Sequence, residues 1–308
     1  MADKHPAIQL KIHDGEKKKP HEELHEELER NHRKMEHATN EAKSMLRKVQ
    51  TEYKEYVHEH PRLAKRLATQ KPMYDVIRMR TGVHGFDELI EGGIPEKSVV
   101  LLTGPCGSGK SIFSMRFLVE GAMNNEPGVY VSLKESVDES MNQMLFFGWP
   151  VDRLIEEGKI LIVQPELYNF DALLTAIEDA IDKIGAKRLV VDTVSIIGMY
   201  FEEPFKIRKA LLDLGYLLKK LGCTTIAISE VGESQRDLSL YGVEEFVADG
   251  VIVLYVMRMR RGSTFMRAIA VRKLRSTKHS IKIHPIEIKR PGGMIVYPGE
   301  EIYTEATP

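Results

Sequence analysis

The sequence has little cysteine, almost no net charge and no long apolar run. Its only cysteines, Cys106 and Cys223, are too few for a disulfide framework or a four-cysteine zinc site, and this scarcity favours a reducing compartment. A formal net charge of -1 gives no global attraction toward nucleic acid or anionic lipid. The longest apolar run, Val251 to Met257, falls far short of the ~20 residues of a membrane span. The first residues, MADKHPAIQLKIHDGEKKK, lack the apolar stretch of a signal peptide, so a soluble, cytoplasmic protein is expected. Hydrophobic residues make up 43% and charged residues 29%, near the globular average, which excludes a wholly disordered or collagen-like chain. A length of 308 residues implies one large domain with an appendage, or two domains.

The average charge conceals a division. Up to Arg80 there are 18 Lys and Arg against 14 Asp and Glu, and beyond it 26 against 31. Residues 1–20 have no apolar periodicity and read as a flexible tail. From His21 to about His60 there is no Gly or Pro. Leu24, Leu28, Met35, Ala38, Ala42, Met45, Val49 and Tyr56 follow a 4,3 spacing interrupted by Asn31 and Glu52. This pattern predicts a coiled-coil-like helix for self-association or for a protein partner, with a solvated helix as the alternative. Residues 21–71 are therefore read as a helical extension and linker, and 72–308 as the main domain. There, β-rich runs at Ser98–Thr103, Val129–Leu133, Ile160–Val163, Arg188–Asp192 and Thr224–Ser229 alternate with helical stretches such as Lys110–Met123 and Asp171–Ile184. This alternation predicts an α/β fold with a mostly parallel twisted sheet and helices on both faces. Ser136 and Glu139 form a candidate capping box. Beyond Gly250, the runs VIVLYVM, FMRAIAV and SIKIHPIEI predict antiparallel strands extending one sheet edge.

Gly104-Pro105-Cys106-Gly107-Ser108-Gly109-Lys110-Ser111 follows an apolar strand and opens a helix at Ile112. It matches the G-x-x-x-x-G-K-S phosphate-binding loop in the strand-loop-helix context that this motif requires. The glycines let the backbone wrap phosphate oxygens and the helix N-terminus adds partial positive charge. Lys110 is expected to reach the β- and γ-phosphates of ATP, and the Ser111 hydroxyl to bind Mg²⁺. Asp192, at the end of the apolar run RLVVD, is the candidate second metal-supporting group.

With those residues in place, the chain over about residues 75–298 resembles the KaiC branch of the RecA-like ATPases. The resemblance is carried by TGVHGFDELIEGGIPEKS, VSLKES with FFGWPVDRLIEEGKI, YGVEEFVADGVIVL and KLRSTKH. It implies a RecA-like core, Mg-ATP bound at subunit interfaces, and a homohexameric ring. It further implies that Lys273 and Arg275 reach the neighbour's γ-phosphate, with His279 also near the nucleotide. KaiC itself carries two such domains in tandem and this chain has one, so autophosphorylation and clock function are not carried over.

Two departures from the family pattern stand out. Relatives place glutamate at the end of the second strand to activate water, whereas this chain has Lys134-Glu135. A protonated ammonium cannot accept a proton, so Glu135 is the only candidate base and slow hydrolysis is expected. The lead-in also ends Pro95-Glu96-Lys97 where glycine usually follows, and is read as a turn variation without consequence. Glu230 is either a γ-phosphate sensor or a plain strand-end carboxylate. His21 to His25 match H-E-x-x-H, but no third ligand is evident and catalytic zinc is not expected. Redox control through Cys106 is likewise not expected. Arg258, Arg260, Arg261, Arg267 and Arg272 form a candidate DNA-binding cluster, which the acidic balance of the domain disfavours. The function expected is an ATP-gated oligomeric switch or scaffold, with a RadA-like DNA-binding ATPase as the alternative.

Overall fold

A computed structural model describes residues 75–165, 169–231, 239–258 and 264–302. The tail and heptad-patterned segment up to residue 74, including His21 and His25, lie outside the described residues, as do Arg260 and Arg261. Arg78–Met79 (β1) and Ile94–Pro95 (β2) make a short antiparallel ribbon ahead of the main sheet. The chain then alternates between strand and helix. Strand β3 (Val99–Gly104) leads into α1 (Lys110–Met123), and β4 (Gly128–Ser132) into α2 (Val137–Phe146) and the short α3 (Val151–Glu156). Strand β5 (Ile160–Val163) precedes α4 (Phe170–Ile184), β6 (Arg188–Asp192) precedes α5 (Pro204–Lys220), and β7 (Thr224–Glu230) precedes α6 (Glu244–Val247). Strands β8 (Gly250–Arg258), β9 (Phe265–Leu274), β10 (His284–Lys289) and β11 (Gly293–Val296) complete the sheet.

The nine strands are ordered β11-β10-β9-β8-β3-β7-β6-β4-β5. Neighbours from β8 to β5 pair in parallel, whereas β9, β10 and β11 pair antiparallel. The run VIVLYVM departs from expectation. As part of β8 it lies parallel beside β3, inside the sheet, and the antiparallel extension begins one strand later. The parallel strands carry little alternation because both faces are covered, so β3 and β4 are buried at every position. One face packs Ile252, Leu254, Tyr130 and Val190 against Phe113, Phe117 and Leu118 of α1. The other packs Val129, Val131 and Val191 against Leu173 and Ile177 of α4 and Leu211 and Leu214 of α5. Each fully buried side chain of this kind contributes about 1.5–3 kcal/mol by removal from water.

Buried Arg188 ties three elements together. Its Nη1 donates to Arg80 O (2.7 Å) and Phe117 O (2.6 Å), its Nε donates to Glu126 Oε2 (2.8 Å), and its guanidinium lies 4.4 Å over the Phe117 ring. Ser136 and Glu139 form the expected capping box at the start of α2. Lys97 corrects the reading of its turn as inconsequential, because its φ of 61° is left-handed and strains a side chain with a Cβ. The described residues from Val76 onward pack as one unit, and no helix among them is long and apolar enough to cross a membrane.

Candidate functional site

Parallel strands end together, so their C-terminal residues converge. Gly104, Ser132, Asp192 and Glu230 close β3, β4, β6 and β7 along this edge, and all but Gly104 line a cavity of about 400 Å³. Along its wall run Cys106, Gly107, Gly109, Lys110, Ser111 and Ile112. Gly104 allows the chain to leave the sheet, since a Cβ there would stand 2.4 Å from Leu254 O. Gly109 caps α1 with φ 104° and no side-chain hydrogen bond, and the first turn of α1 holds no acidic residue. The free amides of that turn and the helix dipole are thus available to an anion. Lys110 is 8% exposed, and its Nζ donates to Gly104 O (2.8 Å) and Pro105 O (2.9 Å). Burial pulls its pKa below the usual lysine value, opposed by the Glu230 and Asp192 carboxylates.

The two candidate metal residues meet, with Ser111 Oγ donating to Asp192 Oδ2 at 2.9 Å. A hydroxyl and a carboxylate at one point are hard oxygen donors that suit Mg²⁺, a cation that otherwise keeps water and phosphate oxygens around it. A residue that sequence reasoning missed holds the same carboxylate oxygen. Tyr130 OH donates to Asp192 Oδ2 at 2.6 Å, and burial, followed by the neighbouring Asp192 charge, raises the phenol's pKa well above its usual value. The phenol therefore stays a proton donor. Only the β4–β6 register, which aligns Ser132 with Asp192 and Tyr130 with Val190, brings the two within reach.

The opposite wall is the end of β4. Glu135 lines the cavity, with its Oε2 accepting from Gln143 Nε2 (2.6 Å) and its backbone fastened to Ser132 Oγ. Lys134 also lines the cavity, and its Nζ lies 3.3 Å from Glu230 Oε1. The Glu230 charge raises the Lys134 pKa, so the ammonium stays protonated.

A family model described as "ATPase: KaiC" matches residues 79–301. The chain belongs to the KaiC family of ATPases. It is 38% identical over 240 residues to a "UPF0273 protein" of Pyrococcus furiosus, covering 72% of this chain and 95% of that protein. It is 32% identical over 241 residues to "Circadian clock oscillator protein KaiC" of Thermosynechococcus vestitus, covering 75% of this chain but 46% of that protein. The crystal structure of a KaiC-like protein of Pyrococcus horikoshii superposes with a TM-score of 0.67 at 44% identity, covering 73% of this chain and all of that one. The fold is thus the KaiC-type, RecA-like core with an antiparallel extension.

Three residues that KaiC resemblance assigns to the nucleotide are not in this cavity. Lys273 and His279 line a second cavity of about 610 Å³ beside Phe246 and Ile281. Lys273 Nζ donates to Ala248 O (2.6 Å) and Glu245 O (3.1 Å), and Arg275 Nη1 pairs with Asp249 Oδ1 (3.1 Å). A β-bulge explains the placement. Val251 pairs with Lys273 and Ile252 with Val271, so Arg272 is the extra residue and the alternation of β9 reverses there. Leu274 consequently joins the core on the α1 face, while Lys273 turns to the other face, next to Val251. The sheet therefore lies between Lys273 and Lys110 of the same chain.

Strand alternation also divides the arginine cluster, since Arg267 and Arg272 are five positions apart on β9. Arg267 lines the phosphate-loop cavity and donates from Nε to Gly107 O (2.9 Å), whereas Arg272 lines the second cavity. Among the described residues these arginines do not form the single basic patch that the DNA reading needs. Arg267 is instead a phosphate-loop contact that a count of basic residues could not identify.

Proposed function

We propose that this KaiC-family chain binds Mg-ATP in the cavity between Gly104–Ser111 and the ends of β4, β6 and β7, and hydrolyses it slowly. Nucleotide state then sets the assembly of a homo-oligomer, a hexamer on family grounds, that carries a protein partner on residues 21–60. The observation that carries the nucleotide reading is the meeting of Ser111 Oγ and Asp192 Oδ2 beside Lys110, at the mouth of an uncapped helix. Lys110 exchanges its two loop carbonyls for phosphate oxygens, and Ser111 and Asp192 hold the metal. Mg²⁺, when bound, neutralises charge on the phosphate oxygens.

Slow turnover follows from the β4 end. Lys134, kept protonated by Glu230, cannot accept a proton from water, and Glu135 already accepts a hydrogen bond from Gln143. Lys273, Arg275 and His279 serve a neighbour's nucleotide, because in their own chain the sheet separates Lys273 from Lys110. The test is nucleotide titration together with mass in solution. Lys110→Ala is expected to lose ATP binding by more than a hundredfold while remaining folded, and a non-hydrolysable ATP analogue is expected to raise the mass of the wild-type chain with little phosphate release. Unchanged affinity in Lys110→Ala would refute the nucleotide site; a monomer whose mass ignores nucleotide would refute the switch.

A further inference from the structure

Among the described residues three cationic side chains, Lys110, Lys134 and Arg267, line the phosphate cavity. Lys110 rises from the first turn of α1, and Arg267 holds the loop through Gly107 O. Lys134 comes from the far wall, where the β4 end also presents Glu135 and where an attacking water would have to be activated. Three carboxylates share the cavity, those of Glu135, Asp192 and Glu230. Each added phosphate brings more negative charge toward them, so a cation at the outer end favours a triphosphate over a diphosphate.

Lys134 is placed to be such a cation. Among the described residues its Nζ pairs with Glu230 Oε1 at 3.3 Å, and the two side chains are 64% and 44% exposed. Such an open pair is weak and does not pin the ammonium. An ammonium has three N–H donors, so Lys134 can keep Glu230 while donating to a phosphate oxygen. Bridging both anions, it offsets the repulsion between Glu230 and the added phosphate.

We propose that Lys134 is the specificity-determining residue of the cavity: it binds the terminal phosphate of a nucleoside triphosphate within its own chain, bridged to Glu230, and makes the site prefer triphosphate to diphosphate. This rests on the Mg-ATP reading of the same cavity. The residue that removes the usual water-activating carboxylate is then the one that retains the unhydrolysed nucleotide.

The experiment is equilibrium binding of a fluorescent ADP and of a fluorescent non-hydrolysable ATP analogue, both with Mg²⁺, to the full chain and to Lys134→Gln and Lys134→Arg. Lys134 is mostly exposed, so both variants are expected to fold, which a thermal melt checks. Lys134→Gln is expected to weaken the analogue about tenfold and to leave ADP within twofold, as loss of one charge-assisted hydrogen bond would. Lys134→Arg is expected to keep the preference. Equal changes for both nucleotides, no change for either, or an arginine variant that behaves like the glutamine variant would overturn the proposal. A wild-type chain that binds neither nucleotide would overturn the cavity's nucleotide reading, and this inference with it.

Discussion

Lys97 holds a backbone conformation that suits glycine, with φ 61°, while its N–H donates to Thr224 Oγ1 at 2.9 Å. A Cβ in this region costs roughly 1–2 kcal/mol, partly offset by the greater freedom that glycine gives the unfolded chain. Lys97→Gly is therefore expected to stabilise the fold by about 0.5–1 kcal/mol, read as a higher denaturant midpoint with an unchanged slope; a lower midpoint would contradict the strain. The replacement of glycine was visible in the sequence, but its cost was not, because φ is set by how β2 and β3 are held. The same holds at Gly121, where a Cβ would come within 2.2 Å of Arg188 Nε. Nothing in a helical stretch announces that one glycine admits an arginine 67 positions later in the chain, whereas the phosphate-loop glycines are legible because their spacing is the motif.

At the scale of elements, Ser136 and Glu139 satisfy the first turn of α2 reciprocally, and the same helix carries Gln143, which holds Glu135. Ser136→Ala is expected to cost about 1 kcal/mol, measured by thermal or chemical unfolding. A loss below a few tenths would mean that tertiary packing alone fixes this turn. The capping box, α1 and the parallel strands were readable because they are local in sequence and periodic in burial. The bulge at Arg272 was not. An alternating strand that loses its phase by one residue still reads as a strand, and only the pairing with β8 shows that Lys273 has changed faces. Tyr130 escaped notice for a related reason, since its partner Asp192 lies 62 residues away on a strand whose register no local signal fixes.

For the whole molecule, placing Lys273 across the sheet from Lys110 predicts complementation between defective subunits. A Lys110→Ala chain keeps the cations of KLRSTKH, and a Lys273→Ala, Arg275→Ala chain keeps the phosphate loop. Each alone is expected to hydrolyse ATP at least tenfold more slowly than wild type, and co-assembly of the two is expected to restore part of the activity. No recovery in a demonstrably mixed oligomer would sink the trans role. By itself the sequence determined the α/β alternation, the phosphate loop, Asp192 and the Lys134 departure, because each depends on local spacing or on residue type at a strand end. Tertiary structure alone decided that Tyr130 grips Asp192, that Arg267 serves the phosphate loop, and that Lys273 faces away from its own Lys110. These depend on strand register and on one bulge, which arise from packing between segments distant in the chain.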